Sequence, residues 1–355
     1  MTRMREEIGE IPAVVERLLR EAGPSLRDAA AAIRAAGPRF AVVAARGTSD
    51  NAGRYGRYLL ETHLGIPTGL AAASVLTTYH ARLAWDGVLV LGLSQSGQSP
   101  DICAIVEDAR AGGATTIAIT NDPGSPLARA AAHVLECRAG EERAVAATKT
   151  YVAELAVIAG LVAGLVPDSP LAGGLPAVPA ALASAERAGA AWVREDATAD
   201  SPSAELAGAT RAIVTSRGFN MATALEIALK LKETSRIFAE GYSTADLEHG
   251  PVALAQEAVP TLFFRPDGEM GASIDIVLRR ARASGAHPWI VGGVELDAVR
   301  APGDRPPLVL ADGLPEPLTP LTYAIPGQLL AEATARRRGS DPDAPPGLSK
   351  VTLTR

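Results

Sequence analysis

One short loop of this 355-residue chain is rich in hydroxyl groups whose types and spacing suit the binding of an anion. It reads Ser94-Gln95-Ser96-Gly97-Gln98-Ser99 and follows the apolar run Val88–Leu93. A continuous apolar run is typical of a buried parallel strand, and Ser99-Pro100-Asp101 is typical of a helix start. Serine hydroxyls and backbone N–H groups at a helix N-terminus can hold a phosphate. The alternative is an ordinary strand-to-helix turn.

A second pair of hydroxyls follows the apolar run Phe40–Ala45. Arg46-Gly47-Thr48-Ser49 comes directly after that run. If the two runs form neighbouring strands, Thr48 and Ser49 lie near the serine loop, where hydroxyls from two loops suit a sugar phosphate. Taken singly, Thr48 and Ser49 are typical helix caps.

Three charged residues share one face of a predicted helix over residues 219–238. Glu226, Lys230 and Glu233 are spaced at i, i+4 and i+7, and the remainder of the helix is almost entirely apolar. One interpretation is a solvated row of ion pairs. The other is a row facing a cleft, in which a carboxylate serves as a proton-transfer base.

Among the five histidines, His249 has a distinctive setting, in a turn-rich segment before Gly250-Pro251. A histidine in such a segment can act as an acid–base group near neutral pH, although many are simple surface residues. No cluster of His, Cys and Asp has the spacing of a metal site, so no metal is expected. Lys350, near the end of the chain, would by itself be interpreted as a solvated lysine.

The elements that must position these residues repeat along the chain. Each half has four apolar runs separated by helical patterns, and Arg46-Gly47 after the first run of one half recurs as Arg217-Gly218 in the other. The runs are Phe40–Ala45, Val88–Leu93, Thr115–Thr120 and His133–Cys137, and then Ala212–Ser216, Val259–Phe264, Pro288–Val291 and Pro307–Ala311. Strands that alternate with helices predict an α/β fold with parallel sheets. The repeat predicts two similar open-sheet domains, with acidic residues in Arg265–Glu269 where the first copy has its serine loop.

The predicted domain plan has five segments. They are N-terminal helices over 1–36, a first sheet domain over 37–166, a linker and helix over 167–202, a second sheet domain over 203–339 and a tail over 340–355.

The composition argues against several classes of partner. Lys and Arg total 34 and Asp and Glu total 40, which leaves a net charge of −6 and favours neither nucleic acid nor an anionic membrane. The two cysteines, Cys103 and Cys137, suit a reducing cytoplasm. We therefore expect a cytoplasmic protein that binds neither nucleic acid nor a membrane.

Six motifs in order resemble the tandem sugar isomerase (SIS) domain proteins. The likeness is greatest to the isomerase half of glucosamine-6-phosphate synthase and to synthase-like glucosamine-6-phosphate deaminases. The motifs are ARGTS (45–49), LSQSGQSPD (93–101), AVAATKTY (144–151), SRGFNMATALEIALKLKE (216–233), EHGPVAL (248–254) and LSKVTL (348–353). The resemblance implies two flavodoxin-like domains, each with three αβα layers.

The resemblance also implies a role for each matching residue. The positions that would hold the phosphate and the sugar are Thr48, Ser49, Ser94, Gln95, Ser96, Ser99, Val145 and Ala147. Glu233 would move a proton between C1 and C2, with Lys230 and Glu226 orienting it. His249 would open the sugar ring from the neighbouring subunit of a homodimer, and Lys350 would form a Schiff base with an open-chain ketose.

Two positions depart from the family pattern. Ala147 stands where serine is usual, which removes one possible hydrogen bond to the sugar. Glu248 stands where a basic residue is common, which should favour a protonated His249.

The implied reaction is isomerisation coupled to loss of the amine, from glucosamine 6-phosphate to fructose 6-phosphate and ammonia. It needs one placed carboxylate and no cofactor. Cys103 and Cys137 lie inside the first sheet domain and the chain begins Met-Thr, so no glutaminase domain and no use of glutamine are expected. The alternatives are a deglycase for fructosamine 6-phosphates and a sugar-phosphate sensor without chemistry. The set of Glu233, His249 and Lys350 favours an enzyme over the sensor.

Overall fold

The computed structural model describes residues 1–193, 201–302 and 304–350 of the chain. They divide into two compact units, each assembled from separate segments. The first-sheet unit contains Ala13–Glu142, Lys149–Pro176 and the tail residues Ser349 and Lys350. The second-sheet unit contains Met1–Pro12, Arg143–Thr148 and Ala177–Leu348.

The first-sheet unit contains a parallel sheet of five strands in the order β2-β1-β3-β4-β5. The strands are β1 (Phe40–Ala44), β2 (Thr68–Leu70), β3 (Val88–Leu93), β4 (Thr115–Thr120) and β5 (His133–Glu136). β1 and β3 are direct neighbours, with Ala44 opposite Gly92. The connections that follow β1 and β3 therefore start side by side at the carboxyl edge of this sheet.

Helices connect these strands, and the chain begins with two more. They are α1 (Arg3–Glu21), α2 (Gly23–Ala36), α3 (Gly47–Leu64), α4 (Ala73–Thr77), α5 (Pro100–Ala111), α6 (Pro126–Ala130), α7 (Lys149–Leu165) and α8 (Pro170–Gly174). α7 is apolar on all sides and buried from Lys149 to Ala163, as expected of a helix surrounded by protein. α3 packs so closely on β1 that a Cβ at Gly53 would lie 2.5 Å from a Val43 methyl group.

The second-sheet unit contains a second parallel sheet, in the order β10-β9-β8-β6-β7. Its strands are β6 (Arg211–Ser216), β7 (Phe238–Ser243), β8 (Thr261–Arg265), β9 (Trp289–Gly292) and β10 (Leu308–Val309). Counted from the first strand of each sheet, this is the order of the first sheet. One hydrophobic cluster of this unit joins Phe263 of the sheet to Ile274 and Leu278 of a covering helix, and it also includes Leu247 and Leu296 of two short helices.

The helices of this half are α9 (Val178–Trp192), α10 (Pro202–Gly208), α11 (Met221–Ser235), α12 (Thr244–Glu248), α13 (Glu269–Ala283), α14 (Leu296–Val299) and α15 (Thr319–Arg337). α11 and α15 are the two most deeply buried of them. No helix in the described ranges has both the length and the apolar character required to cross a membrane.

The structure confirms the α/β class and the repeated parallel sheet, and each of the eight predicted apolar runs overlaps a strand. Two strands, β2 and β7, were not predicted. Their sequences, TGL and FAEGYS, contain glycine and few β-branched residues, so they lack a local strand signal.

The end of one predicted helix needs correction. α11 stops at Ser235 and not at residue 238, because Arg236 adopts the left-handed conformation at φ 52°. The N–H groups of Arg236 and Ile237 close the last turn, and Phe238 already begins β7.

Candidate functional site

The serine loop joins the carboxyl end of β3 to the N-terminus of α5. The Gly97 N–H donates to Ser94 Oγ at 3.1 Å, and the Gln98 N–H donates to Ser96 Oγ at 3.3 Å. Each of these hydroxyl oxygens thus accepts a hydrogen bond from the backbone of its own loop. Gly97 has φ +61°, and a Cβ there would lie 2.1 Å from Ser125 Oγ, so the tight loop requires glycine.

Ser99 occupies the N-cap position of α5, as the sequence predicts, but its side chain makes no capping hydrogen bond. The Ser99 hydroxyl lies instead 3.5 Å from that of Ser94. The N-terminus of a 12-residue helix, with its positive dipole end, and two neighbouring hydroxyls therefore lie together at the loop. Such an arrangement suits an anion.

Thr48 and Ser49 lie on the adjacent connection, in the first turn of α3. Arg46 links the two connections, because its Nη2 lies 2.9 Å from Oδ2 of the buried Asp101 in α5. Ser49 does not act as a helix cap; it donates to Oε1 of buried Glu154 at 2.8 Å. β1 and β3 are neighbouring strands, as the proximity of these hydroxyls requires, so that prediction is confirmed.

Lys350 lies in the same unit as the serine loop and is paired. Its Nζ is 2.7 Å from Oε2 of Glu142, a carboxylate that is fully buried. Glu142 also accepts from the backbone N–H and the hydroxyl of Thr150, at 3.1 and 2.7 Å. A fixed carboxylate thus holds the tail lysine, in contrast to the solvated lysine that its position alone predicted.

Glu226, Lys230 and Glu233 form one row on α11 in the second-sheet unit. Lys230 Nζ lies 2.5 Å from Glu233 Oε2 and 3.4 Å from Glu226 Oε1. Glu226 and Lys230 are buried, with side-chain exposures of 0 and 1%, whereas Glu233 is 25% exposed. The row is therefore not a solvated stripe, and Glu233 is its accessible end.

His249 follows α12 and is exposed. The neighbouring Glu248 carboxylate pairs with Arg280 of α13 at 2.8 Å. Part of the negative charge expected to act on His249 is thus compensated by an arginine that the sequence analysis did not consider.

Val145 and Ala147 lie in the half-buried connection that precedes α7. The buried Glu7 of α1 accepts the N–H groups of Arg143 and Ala144, at 2.5 and 3.3 Å. The Val145 N–H donates to the carbonyl of Asp343 at 3.1 Å. Two distant segments of the chain therefore hold this connection in place.

The structure groups the predicted residues in two sets. The first-sheet unit holds Thr48, Ser49, Ser94, Gln95, Ser96, Ser99 and Lys350, and the second-sheet unit holds Val145, Ala147, Glu226, Lys230, Glu233 and His249.

The sequence analysis missed the buried carboxylates Glu7, Glu142 and Glu154. Glu154 had a signal, since it is an acidic residue inside the apolar helix α7. Among the described residues, no group of three or more His, Cys, Asp or Glu side chains is arranged to hold a metal ion.

The chain was compared with known families and curated proteins. The family model for the SIS domain matches residues 38–163 and 205–301. The chain is 38% identical over 305 residues to glutamine–fructose-6-phosphate aminotransferase [isomerizing] of Methanothermobacter thermautotrophicus, which covers 86% of this chain and 50% of that protein. It is 32% identical over 364 residues to the enzyme of that name from Zymomonas mobilis, and this match covers 98% of this chain and 58% of that protein. The chain thus spans about half the length of these relatives.

Two solved structures match almost the whole chain. A Silicibacter pomeroyi protein, described as a phosphosugar isomerase, is 35% identical with a TM-score of 0.85, and the match covers 97% of this chain and 100% of that one. The C-terminal domain of glucosamine-fructose-6-phosphate aminotransferase from Francisella tularensis is 25% identical with a TM-score of 0.86. That match covers 97% of this chain and 98% of the other.

Proposed function

This chain belongs to the SIS domain family, whose model matches more than half of it, and from that premise we propose that it isomerises a sugar phosphate. The buried ion row on α11 carries the proposal. Glu233 is a carboxylate held against a buried lysine, with one side open to solvent, as a proton-transfer base requires. The relatives whose names include "isomerizing" and the structure described as a phosphosugar isomerase support the same reaction class.

The serine loop supports a phosphate as the anchoring group. We assign the phosphate and sugar hydroxyls to Thr48, Ser49, Ser94, Gln95, Ser96 and Ser99, and the lining of the sugar to Val145 and Ala147. Binding energy from the phosphate, which does not react, can orient the carbons that do.

Glucosamine 6-phosphate is the proposed substrate, with fructose 6-phosphate and ammonia as products. Glu233, oriented by Lys230 and Glu226, removes the proton from C2 of the open-chain aldose and returns it to C1. Water then adds to the resulting C2 imine, and ammonia leaves. No cofactor takes part in this scheme.

His249 and Lys350 complete the scheme. We assign ring opening to His249, contributed by the second copy in a homodimer, and Schiff-base formation with the open-chain ketose to Lys350. Glu142 supports the second assignment, because it holds the Lys350 amine at a fixed position. The cytoplasm is the proposed compartment.

The decisive experiment incubates the chain with glucosamine 6-phosphate, without glutamine, and follows ammonia and fructose 6-phosphate. Equal release of both products is expected. Sugar binding measured by calorimetry without turnover would instead indicate a sensor. If neither binding nor turnover is found, turnover of fructosamine 6-phosphates would indicate a deglycase.

Glu233→Gln tests the assigned base. The amide keeps the size of the side chain but cannot take a proton, so turnover should fall at least a thousandfold while the calorimetric affinity for the sugar phosphate changes little. Glu257→Gln, at an exposed carboxylate outside the row, is the control. Turnover retained by Glu233→Gln would remove Glu233 from this role.

A further inference from the structure

A small cavity lies at the carboxyl edge of the second sheet, and the proposed reaction does not use it. Its volume is about 230 Å³. Its walls come from the loops after β8, β9 and β10 and from the first turns of α15. Ligands of open α/β sheets bind outside the carboxyl ends of the strands. The volume is below the roughly 300 Å³ at which typical ligand pockets begin, so an occupant must be small.

The described walls of the cavity are acidic. Asp267, Asp312 and Glu316 line it, and no lysine or arginine does. Asp267 is partly neutralised, since Arg265 lies 3.5 Å away and two backbone N–H groups donate to its carboxylate. The negative charge that remains belongs mainly to Asp312 and Glu316.

Asp312 and Glu316 lack a cationic partner within the described ranges. Asp312 accepts from the Thr322 hydroxyl at 2.7 Å and from the Leu314 N–H at 3.2 Å. Glu316 Oε1 is buried and has no hydrogen-bond partner. Burial raises the pKa of both carboxyl groups. An ionised carboxylate that is shielded from water and has no cation beside it is costly, so a cation in the cavity would stabilise the ionised form of both groups.

Tyr323 is a second and independent indication of a ligand. This residue of α15 lines the cavity and is only 1% exposed. Among the described residues, only burial and nearby charges, and no hydrogen bond, act on its hydroxyl. A buried tyrosine hydroxyl usually has one, and a polar ligand in the cavity would supply it.

We propose that this cavity binds a small organic ammonium ion that also carries hydroxyl groups. The carboxylates of Asp312 and Glu316 recognise the positive charge, and Tyr323 pairs with a hydroxyl or with the ammonium itself. The loop after β8, Arg265–Glu269, is the counterpart of the serine loop after β3, so the two sheets present opposite charge preferences at equivalent edges. The proposal is independent of the proposed function, because it uses none of those residues.

Glucosamine and glucose are the matched probes, because both have the size of one hexose and only glucosamine carries an amine. Calorimetry with the full chain should detect glucosamine and not glucose. Glu316→Gln and Tyr323→Phe should each weaken glucosamine binding about tenfold or more, as expected for loss of a hydrogen bond to a charged or buried group.

Two control variants locate the bound probe. Asp297→Asn changes an exposed aspartate on α14 outside the cavity and should leave the affinity unchanged. Ser96→Ala in the serine loop should also leave it unchanged, which separates this cavity from the proposed phosphate site. Thermal unfolding should show that Tyr323→Phe folds normally, because it removes a hydroxyl without a partner.

Three results would overturn the proposal. They are absence of glucosamine binding at tens of millimolar, equal affinity for glucose, and unchanged affinity in both Glu316→Gln and Tyr323→Phe.

Discussion

At the scale of single residues, three buried carboxylates each hold one polar group that the proposed function uses. Glu226 lies beside Lys230, Glu142 holds Lys350, and Glu154 accepts the Ser49 hydroxyl. A buried carboxylate orients its partner because little solvent competes for the hydrogen bond. The same burial makes the loss of the partner costly, and the Lys230 row offers the clearest test.

Lys230→Met should destabilise the chain strongly, because it removes the ammonium group that lies 3.4 Å from the fully buried Glu226 carboxylate. Removal of one member of a buried pair typically costs about 3–5 kcal/mol. The midpoint of urea unfolding measures the effect. Lys232→Met, at an exposed lysine on the same helix, should change the midpoint little.

The double variant Lys230→Met/Glu226→Gln distinguishes the loss of the charge partner from the change of shape. It removes the buried Glu226 charge together with the lysine and should regain part of the lost stability. A Lys230→Met variant as stable as Lys232→Met would show that Glu226 is not a buried carboxylate partnered by Lys230.

At the scale of elements, α1 supports a connection distant from it in sequence. Glu7 accepts two backbone N–H groups of the segment that leads to Val145 and Ala147. Asp343 caps α1, accepting the N–H groups of Arg3 and Met4 at 2.8 Å each, and its carbonyl accepts the Val145 N–H. A helix outside both sheets thereby fixes the backbone that is proposed to line the sugar.

Glu7→Gln should loosen that connection. A glutamine offers one acceptor oxygen where the carboxylate offers two, so one backbone N–H loses its partner at a cost of about 1–3 kcal/mol. Hydrogen exchange of the Arg143 and Ala144 amides should accelerate about tenfold, and KM for the sugar phosphate should rise with a smaller change in kcat.

Glu6→Gln, at the exposed neighbour of Glu7, is the matched control and should change neither measurement. Unaltered exchange at both amides in Glu7→Gln would show that Glu7 does not hold the connection.

At the scale of the whole molecule, one sheet topology occurs twice with different chemistry at its carboxyl edge. The first sheet ends in hydroxyls and helix amides at the serine loop, and the second ends in the acidic cavity. The acidic edge affects the pH dependence of stability, because burial raises the pKa of Asp312 and of Glu316.

Glu316→Gln should stabilise the chain at neutral pH and not at acid pH. Because the folded-state pKa of Glu316 is raised, its protonated form contributes stability that is fully present below the unfolded pKa. That contribution is lost as pH rises through the folded pKa. The variant cannot ionise, so its Tm should exceed that of the wild type at pH 8 and equal it near pH 4.

Glu257→Gln, at an exposed glutamate, should follow the wild type across this range. A Tm difference for Glu316→Gln that does not depend on pH would contradict the raised pKa.

The sequence alone determined the class of fold and most of its strands, because continuous apolar runs and helical periods are local patterns. It also placed Glu226, Lys230 and Glu233 on one helix face, since that spacing follows from the helix repeat. The serine loop was recognisable for the same reason: its residues are consecutive. β2 and β7 were not predicted, because they are strands through their pairing with β1 and β6 and not through their own composition.

The tertiary structure alone decided which face of α11 is buried, and so whether its charged row is solvated or enclosed. It also decided the partners of Lys350 and Glu7 and the position of Tyr323 in a cavity wall, since these depend on segments far apart in the chain. Glu7 accepts a hydrogen bond from the Arg143 N–H, and Lys350 donates one to Glu142. Tyr323 lines a cavity together with the loops that follow three strands. Burial and partnership are properties of packing, and a local sequence pattern contains no information about which distant segment supplies them.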